Sequence, residues 1–258
     1  MQRASQAARG GFRHLERKFV PVFLAMTSLA TVANQHAVAS RPVAPKPWPV
    51  LEVGDSLGID LGWGLGPALA GSGHAFVNQA AGDTGLAETW YYNWPAHLAT
   101  DLATYRPGLV VVFLGANDVE NLYVDGHFAA FGSPAWAHDY GERVEQVLRE
   151  SLRSHANVLW VGMPPMGSPA FSSDMRTLNA VYWRQASHEG KDAAYFSSWD
   201  VLGGPHGQYE AGPPGASAEG TLWRAPDGIH ITTAGAQVLA GAVMRYLQAK
   251  GWLGGPKE

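Results

Sequence analysis

Pro49-Val50-Leu51-Glu52-Val53-Gly54-Asp55-Ser56-Leu57 is the stretch on which the reading of this chain turns. Residues 49–54 form a short, largely apolar run. It breaks at Gly-Asp-Ser and leads into residues 58–70, which suit a helix, so it reads as a strand that feeds a helix. The break leaves a serine hydroxyl at the carboxyl end of that strand. Taken alone, Gly54-Asp55-Ser56 is an ordinary turn with a helix cap. Its meaning depends on how the other strands end.

Further along, short β-rich runs alternate with longer amphipathic stretches. Residues 74–78, 109–114, 157–163 and 193–197 read as strands; Leu109-Val110-Val111-Val112-Phe113-Leu114 is the clearest, since a continuous apolar run suits burial on both faces. Residues 94–105, 136–154, 174–189 and 232–248 read as helices. Such alternation predicts an α/β fold in which a parallel sheet carries helices on both faces. Ligand sites in these folds lie beyond the carboxyl ends of the strands. There the chain carries Gly54-Asp55-Ser56-Leu57, then Asn78 to Thr84 with Gly82, then Gly115-Ala116-Asn117-Asp118, and ahead of the last helix Asp227-Gly228-Ile229-His230.

These four segments, in this order, resemble blocks one, two, three and five of the SGNH/GDSL hydrolase superfamily, and they span the chain from Val50 to the last helix. A narrower resemblance rests on Thr84-Gly85-Leu86, Asn93-Trp94-Pro95, residues 160–166, Leu178-Asn179 and Asp227-Gly228-Ile229-His230. It points to an exported bacterial subfamily described only as a domain of unknown function. The resemblance implies a three-layer α/β/α fold with a central five-stranded parallel sheet, the flavodoxin-like SGNH architecture. It also implies a serine nucleophile, Ser56, with Asp227 and His230 as its partners. A serine hydroxyl is a poor nucleophile at neutral pH and needs an adjacent base, which His230 can supply. Asp227, three residues earlier, can fix the imidazole tautomer. The implied oxyanion hole combines the backbone N–H of Ser56, the backbone N–H of Gly82 and the side-chain amide of Asn117.

Gly54-Asp55-Ser56-Leu57-Gly58 also fits the Gly-x-Ser-x-Gly elbow of α/β-hydrolases. That elbow follows several strands, and its Asp and His lie well apart in sequence. Here the serine follows the first strand and the Asp and His are three residues apart, so the elbow reading fails on order. Asp55, Asp83 and Asp118 read as braces that cap backbone amides. Trp90, Tyr91, Tyr92, Trp94, Trp136, Trp199 and Trp223 could stack on sugar rings, although aromatic residues at that density usually build core.

The ends and the composition bound the rest. Arg3, Arg9, Arg13, Arg17 and Lys18, an apolar run over residues 19–33 and Ala37-Val38-Ala39 follow the order of a secretory signal peptide. The reading is therefore a signal peptide at 1–39, a Pro-rich linker at 40–48, a hydrolase domain at 49–258 and a periplasmic or secreted location; an uncleaved N-terminal anchor is the alternative. Loss of the leader would take the formal net charge from −4 to −8, because it holds five of 18 Lys and Arg but one of 22 Asp and Glu. So acidic a surface disfavours nucleic acid as a partner. Cysteine is absent and the histidines show no ligand spacing, so no cofactor or metal is expected.

The function expected is a serine esterase that hydrolyses short, acetyl-type acyl esters on a glycan or small polar ester through an acyl-enzyme. An O-acyltransferase acting on an exported polysaccharide, with a membrane partner to donate the acyl group, is the alternative within serine chemistry. A lysophospholipase or thioesterase is a third, and a silent glycan-binding module a fourth, of another class. Residues 119–135 and the Gly/Pro-rich residues 202–226 read as long loops beside the site, the second with enough glycine to act as a lid.

Overall fold

The computed structural model describes residues 47–216 and 221–254. The expected signal segment at 1–39 and most of the linker lie outside them. Trp48, assigned to the end of the linker by sequence, packs on the His74 ring at 4.0 Å between centroids and so belongs to the folded unit.

Seven strands form among the described residues: β1 (Val50–Gly54), β2 (Phe76–Asn78), β3 (Leu109–Phe113), β4 (Leu122–Val124), β5 (His127–Ala129), β6 (Asn157–Val161) and β7 (Ala193–Phe196). Five of them make one parallel sheet in the order β2-β1-β3-β6-β7, and β4 and β5 pair antiparallel as a separate hairpin. With the hairpin set aside the order is flavodoxin-like. Every residue of β1 and β3 is buried, as expected of strands covered on both faces. The hairpin lies inside 119–135, which sequence reads as a plain loop. Its strands are three residues long, too short for alternation to register.

The helices are α1 (Ser56–Ala70), α2 (Trp94–Tyr105), α3 (Pro134–Arg153), α4 (Pro169–His188), α5 (Trp199–Leu202) and α6 (Thr233–Ala249). α1 and α6 pack together on one side; α2, α3 and α4 form a second group. Gly64 permits the α1–α6 contact, because a Cβ there would lie 2.2 Å from the Ala236 carbonyl oxygen. α4 starts at Pro169, five residues before the sequence-predicted start at 174. Ser168 caps it by accepting from the Phe171 N–H, and Pro169 at the first position lacks only an N–H that would have no partner there. The short α5 was not foreseen.

The chain leaves β1 for β2 on one side and returns to β3 on the other. The sheet order reverses at β1, and in folds of this kind the ligand crevice lies beyond the carboxyl ends of the strands at such a reversal.

Candidate active site

Asp55 closes β1 and caps α1. Its Oδ1 accepts from the Leu57 N–H at 2.9 Å, and its Oδ2 accepts from the N–H groups of Gly115 and Ala116, both at 2.8 Å. One buried carboxylate thus joins the ends of β1 and β3, the bracing role expected of it. Burial pushes its pKa up to about 6, against the pull of the three amides. Ser56 follows as the first residue of α1.

Asp227 and His230 lie in the turn that precedes α6. Asp227 Oδ1 accepts from the backbone N–H groups of Ile229 at 2.8 Å and His230 at 3.0 Å, folding the turn around its own side chain. Its Oδ2 meets His230 Nδ1 at 2.7 Å, and His230 Nε2 meets Ser56 Oγ at 3.0 Å. Partial burial would raise the Asp227 pKa, but the bonds from His230 and the two amides outweigh it and hold the carboxyl at about 2. An ionised carboxylate only accepts, so Nδ1 carries the hydrogen, and in the neutral ring this leaves the Nε2 lone pair toward the serine hydroxyl. The arrangement is open: His230 is 40% and Asp227 46% exposed.

Two residues that the sequence reading missed hold this turn. Asp60 is one helical turn beyond Ser56 on α1, and its Oδ2 accepts from the Ile231 N–H at 2.8 Å. Arg224 is buried and donates to the carbonyls of Ile229 at 2.7 Å, Gly228 at 3.4 Å and Pro165. Burial lowers the Arg224 pKa to about 10, so it remains a cation at neutral pH. Tyr209 lies beneath it, 5.1 Å from guanidinium to ring centroid. The i, i+4 spacing of Ser56 and Asp60 was a readable signal. Arg224 had none, since its partners are distant carbonyls.

Asn117 stands in the loop after β3 and Gly82 in the loop after β2. Asn117 Nδ2 donates to the Thr84 carbonyl at 2.9 Å, while the Thr84 hydroxyl donates to the Ala81 carbonyl at 2.7 Å and accepts from Trp94 Nε1 at 3.1 Å. One amide hydrogen of Asn117 is thereby fixed, and the Gly82 loop is tied to the Asn117 loop. A Cβ on Gly82 would meet nothing nearer than Ile59 Cδ1 at 3.9 Å, so no protein atom requires glycine there.

Asp118 is buried and braces its loop as expected, accepting from the Ala87 N–H at 2.7 Å and the Tyr140 hydroxyl at 2.6 Å. Burial raises its pKa, with the Tyr140 bond opposing. Asp83 differs from expectation. It takes the left-handed conformation at φ 58° and caps no amide among the described residues. The aromatic cluster divides: Trp94 and Trp136 are core, Trp199 is buried under Arg176, and Trp90 and Tyr91 are exposed. The described part of 202–226 is fastened by a Gly203–Tyr209 bridge, a Trp199 Nε1–Gly207 bond at 2.8 Å and bonds from the Trp223 and Arg224 N–H groups to Ala211.

A cavity of about 660 Å³ lined by Trp48, Arg106, His155 and Trp252 lies elsewhere, at the amino ends of β1, β3 and β6.

A family model described as "Protein of unknown function (DUF459)" matches residues 49–246. Among solved structures, the chain is similar to TesA at 23% identity and a TM-score of 0.53, over 78% of this chain and 99% of that one. It is similar to an acetyl xylan esterase, AlAXEase, at 15% and 0.54, over 77% and 99%. A GDSL-like lipase from Bacteroides thetaiotaomicron aligns at 13% and 0.54, over 78% and 88%. No curated protein matches the chain. At these identities the likeness is one of fold, and the fold is that of the SGNH hydrolases.

Proposed function

For a chain that belongs to the DUF459 family and has the SGNH hydrolase fold, we propose a serine esterase that cleaves short acyl esters, with Ser56 as nucleophile, His230 as base and Asp227 as the group that orients it. One observation carries the reading: His230 bridges Ser56 Oγ at 3.0 Å and the Asp227 carboxylate at 2.7 Å through its two ring nitrogens.

In the proposed reaction, Ser56 Oγ attacks the ester carbonyl carbon while its proton passes to His230 Nε2. Asp227 stabilises the imidazolium. The carbonyl oxygen, now an anion, is met by the N–H groups of Ser56 and Gly82 and by the free hydrogen of the Asn117 amide. Collapse breaks the bond to the alcohol oxygen, which takes the proton from His230. Water, deprotonated by the same nitrogen, then attacks the acyl-serine and releases the carboxylic acid. The openness of the site favours an ester carried on a large or polar molecule over one that must be swallowed whole, so a short acyl group on a glycan or other polar alcohol is the substrate class proposed. Export to the periplasm or beyond remains a proposal resting on the leader at 1–39; among the described residues no helix is long and apolar enough to cross a membrane.

The test is a fluorophosphonate probe followed by peptide mass spectrometry. Label should appear on Ser56, and Ser56→Ala should lose hydrolysis of p-nitrophenyl acetate by at least about 1,000-fold while melting as the wild type does. Label on another serine, or a folded Ser56→Ala with more than a tenth of the activity, would overturn the assignment.

A further inference from the structure

Seven large hydrophobic residues stand exposed among the described residues, and four of them are aromatic groups on two segments beside the reaction site: Trp90 at 80%, Tyr91, Tyr123 at 73% and Phe128 at 64%. Trp90 and Tyr91 follow the Gly82–Thr84 loop, and their rings meet edge to face at 6.0 Å. Tyr123 and Phe128 are directly opposed across the β4–β5 hairpin, so both rings leave the same face. The two segments meet at Glu88 and Glu120, where burial and then the adjoining Glu88 carboxyl raise the Glu120 pKa.

The hairpin is a fixed platform. Its inner face carries buried Leu122 and Ala129, and His127 Nε2 bonds Asp139 of α3 at 2.9 Å. Trp136 Nε1 donates to the Glu120 carbonyl at 2.8 Å, and Asn121 Oδ1 accepts from the Phe131 N–H at 2.9 Å. Nothing in the core requires the outward pair to be aromatic. Tyr123 is six residues from Asn117 and Trp90 six from Thr84, so each lies within about 20 Å of the residue it follows. That distance is the reach of a few linked sugars.

Charge narrows the occupant. Residues 82–93 and 117–131 hold no Lys or Arg; Asp118 is buried, and Asp83, Glu88, Glu120 and Asp125 reach the surface, with Arg143 of α3 held against the Leu86 and Ala87 carbonyls. A polyanion or an anionic bilayer would be repelled. Flat rings with carboxylates at their margins suit the C–H faces and hydroxyl edges of pyranose sugars.

We propose that Trp90, Tyr91, Tyr123 and Phe128 form a docking surface for a neutral polysaccharide chain that carries the ester to Ser56. The proposal rests on the esterase reading for its purpose, but binding can be read without turnover. The probes are acetylated glucomannan, which is neutral, acetylated alginate, which is anionic, and phosphatidylcholine vesicles. In the Ser56→Ala background, native gels containing glucomannan should retard the protein. Trp90→Ala/Tyr123→Ala/Phe128→Ala should weaken that retardation by at least about tenfold in apparent Kd, a loss in the range of removed aromatic contacts. Trp90→Phe and Tyr123→Phe should keep most of it, which separates lost rings from lost folding. Equal retardation before and after the alanine changes, or preferential binding to alginate or vesicles, would overturn the proposal. Glucomannan binding by a wild-type protein with no p-nitrophenyl acetate activity would uphold the surface and sink the esterase.

Discussion

Arg224 and Asp60 grip the backbone on either side of His230: the guanidinium donates to the Ile229 carbonyl at 2.7 Å, and the carboxyl accepts from the Ile231 N–H at 2.8 Å. The imidazole therefore projects from a short peptide segment held from two elements, the end of the long loop and α1.

Arg224→Met should leave the carbonyls of Pro165, Gly228 and Ile229 without their donor and cost about 1–3 kcal/mol of stability. If Arg224 positions the turn, kcat on p-nitrophenyl acetate should also fall, by about 100-fold for a displacement near 1 Å, with KM little changed. Fluorophosphonate labelling of Ser56 should slow in parallel. A variant that melts lower but labels and turns over normally would make Arg224 a purely structural residue.

Two glycines on the same edge should behave in opposite ways. Gly82→Ala adds a Cβ into open space, so the melting temperature should hold while kcat/KM falls as the methyl narrows the approach to the Gly82 N–H. Gly115 sits at φ 144° with the Tyr182 hydroxyl 2.1 Å from where a Cβ would go, so Gly115→Ala should destabilise the protein by about 1–3 kcal/mol. Thermal melts and aryl-acetate kinetics on both variants decide it; an unfolded Gly82→Ala or an unaffected Gly115→Ala would contradict the geometry.

Asp227 should take no part in the acid limb of activity. Its carboxyl is held at about 2, so it stays ionised down to about pH 4. From pH 7 to 4, the slope of log kcat/KM against pH should not exceed one; a slope approaching two would mean that the carboxylate titrates in that range. In stability terms a depressed carboxyl pKa contributes above the unfolded value and is lost as pH falls through the folded one. The Asp227 contribution should therefore fade only between about pH 4 and pH 2, and it should be small, since the side chain is 46% exposed.

Glu52 gives the opposite slope. It is fully buried in β1, receives one bond from Asn78 Nδ2 at 3.2 Å, and has no partner for Oε1. Burial raises its pKa well above the ordinary glutamate value. The folded protein then keeps a proton that the unfolded chain releases, so stability falls as pH rises from about 4. Glu52→Gln, which cannot ionise, should flatten that decline in melting temperature between pH 5 and 8. An unchanged slope would place the titration elsewhere.

The sheet, the helices and the meeting of Ser56, His230 and Asp227 were legible because each leaves a local mark: a run of buried β-branched residues in β3, Ser56 directly after β1, Asp227 and His230 three residues apart. The β4–β5 hairpin left none, because three-residue strands show no period. The start of α4 was hidden by reading its apolar spacing from 174 while Ser168-Pro169, a capping pair, stood five residues earlier. Arg224 was hidden for another reason. Its meaning lies in carbonyls at Pro165, Gly228 and Ile229, and a carbonyl has no letter in a sequence.

On the proposed mechanism, the half-exposed His230 and Asp227 bear on what becomes of an acyl group held by Ser56. With no dry interval around the ester, release is a race between whichever hydroxyls reach the carbonyl carbon, and bulk water is always at the line. A sugar hydroxyl could win only if it were already parked beside Ser56. In a site built this way, the choice between cleaving an ester and passing it on is settled by how long an acceptor alcohol stays on the surface next door rather than by Ser56, His230 and Asp227.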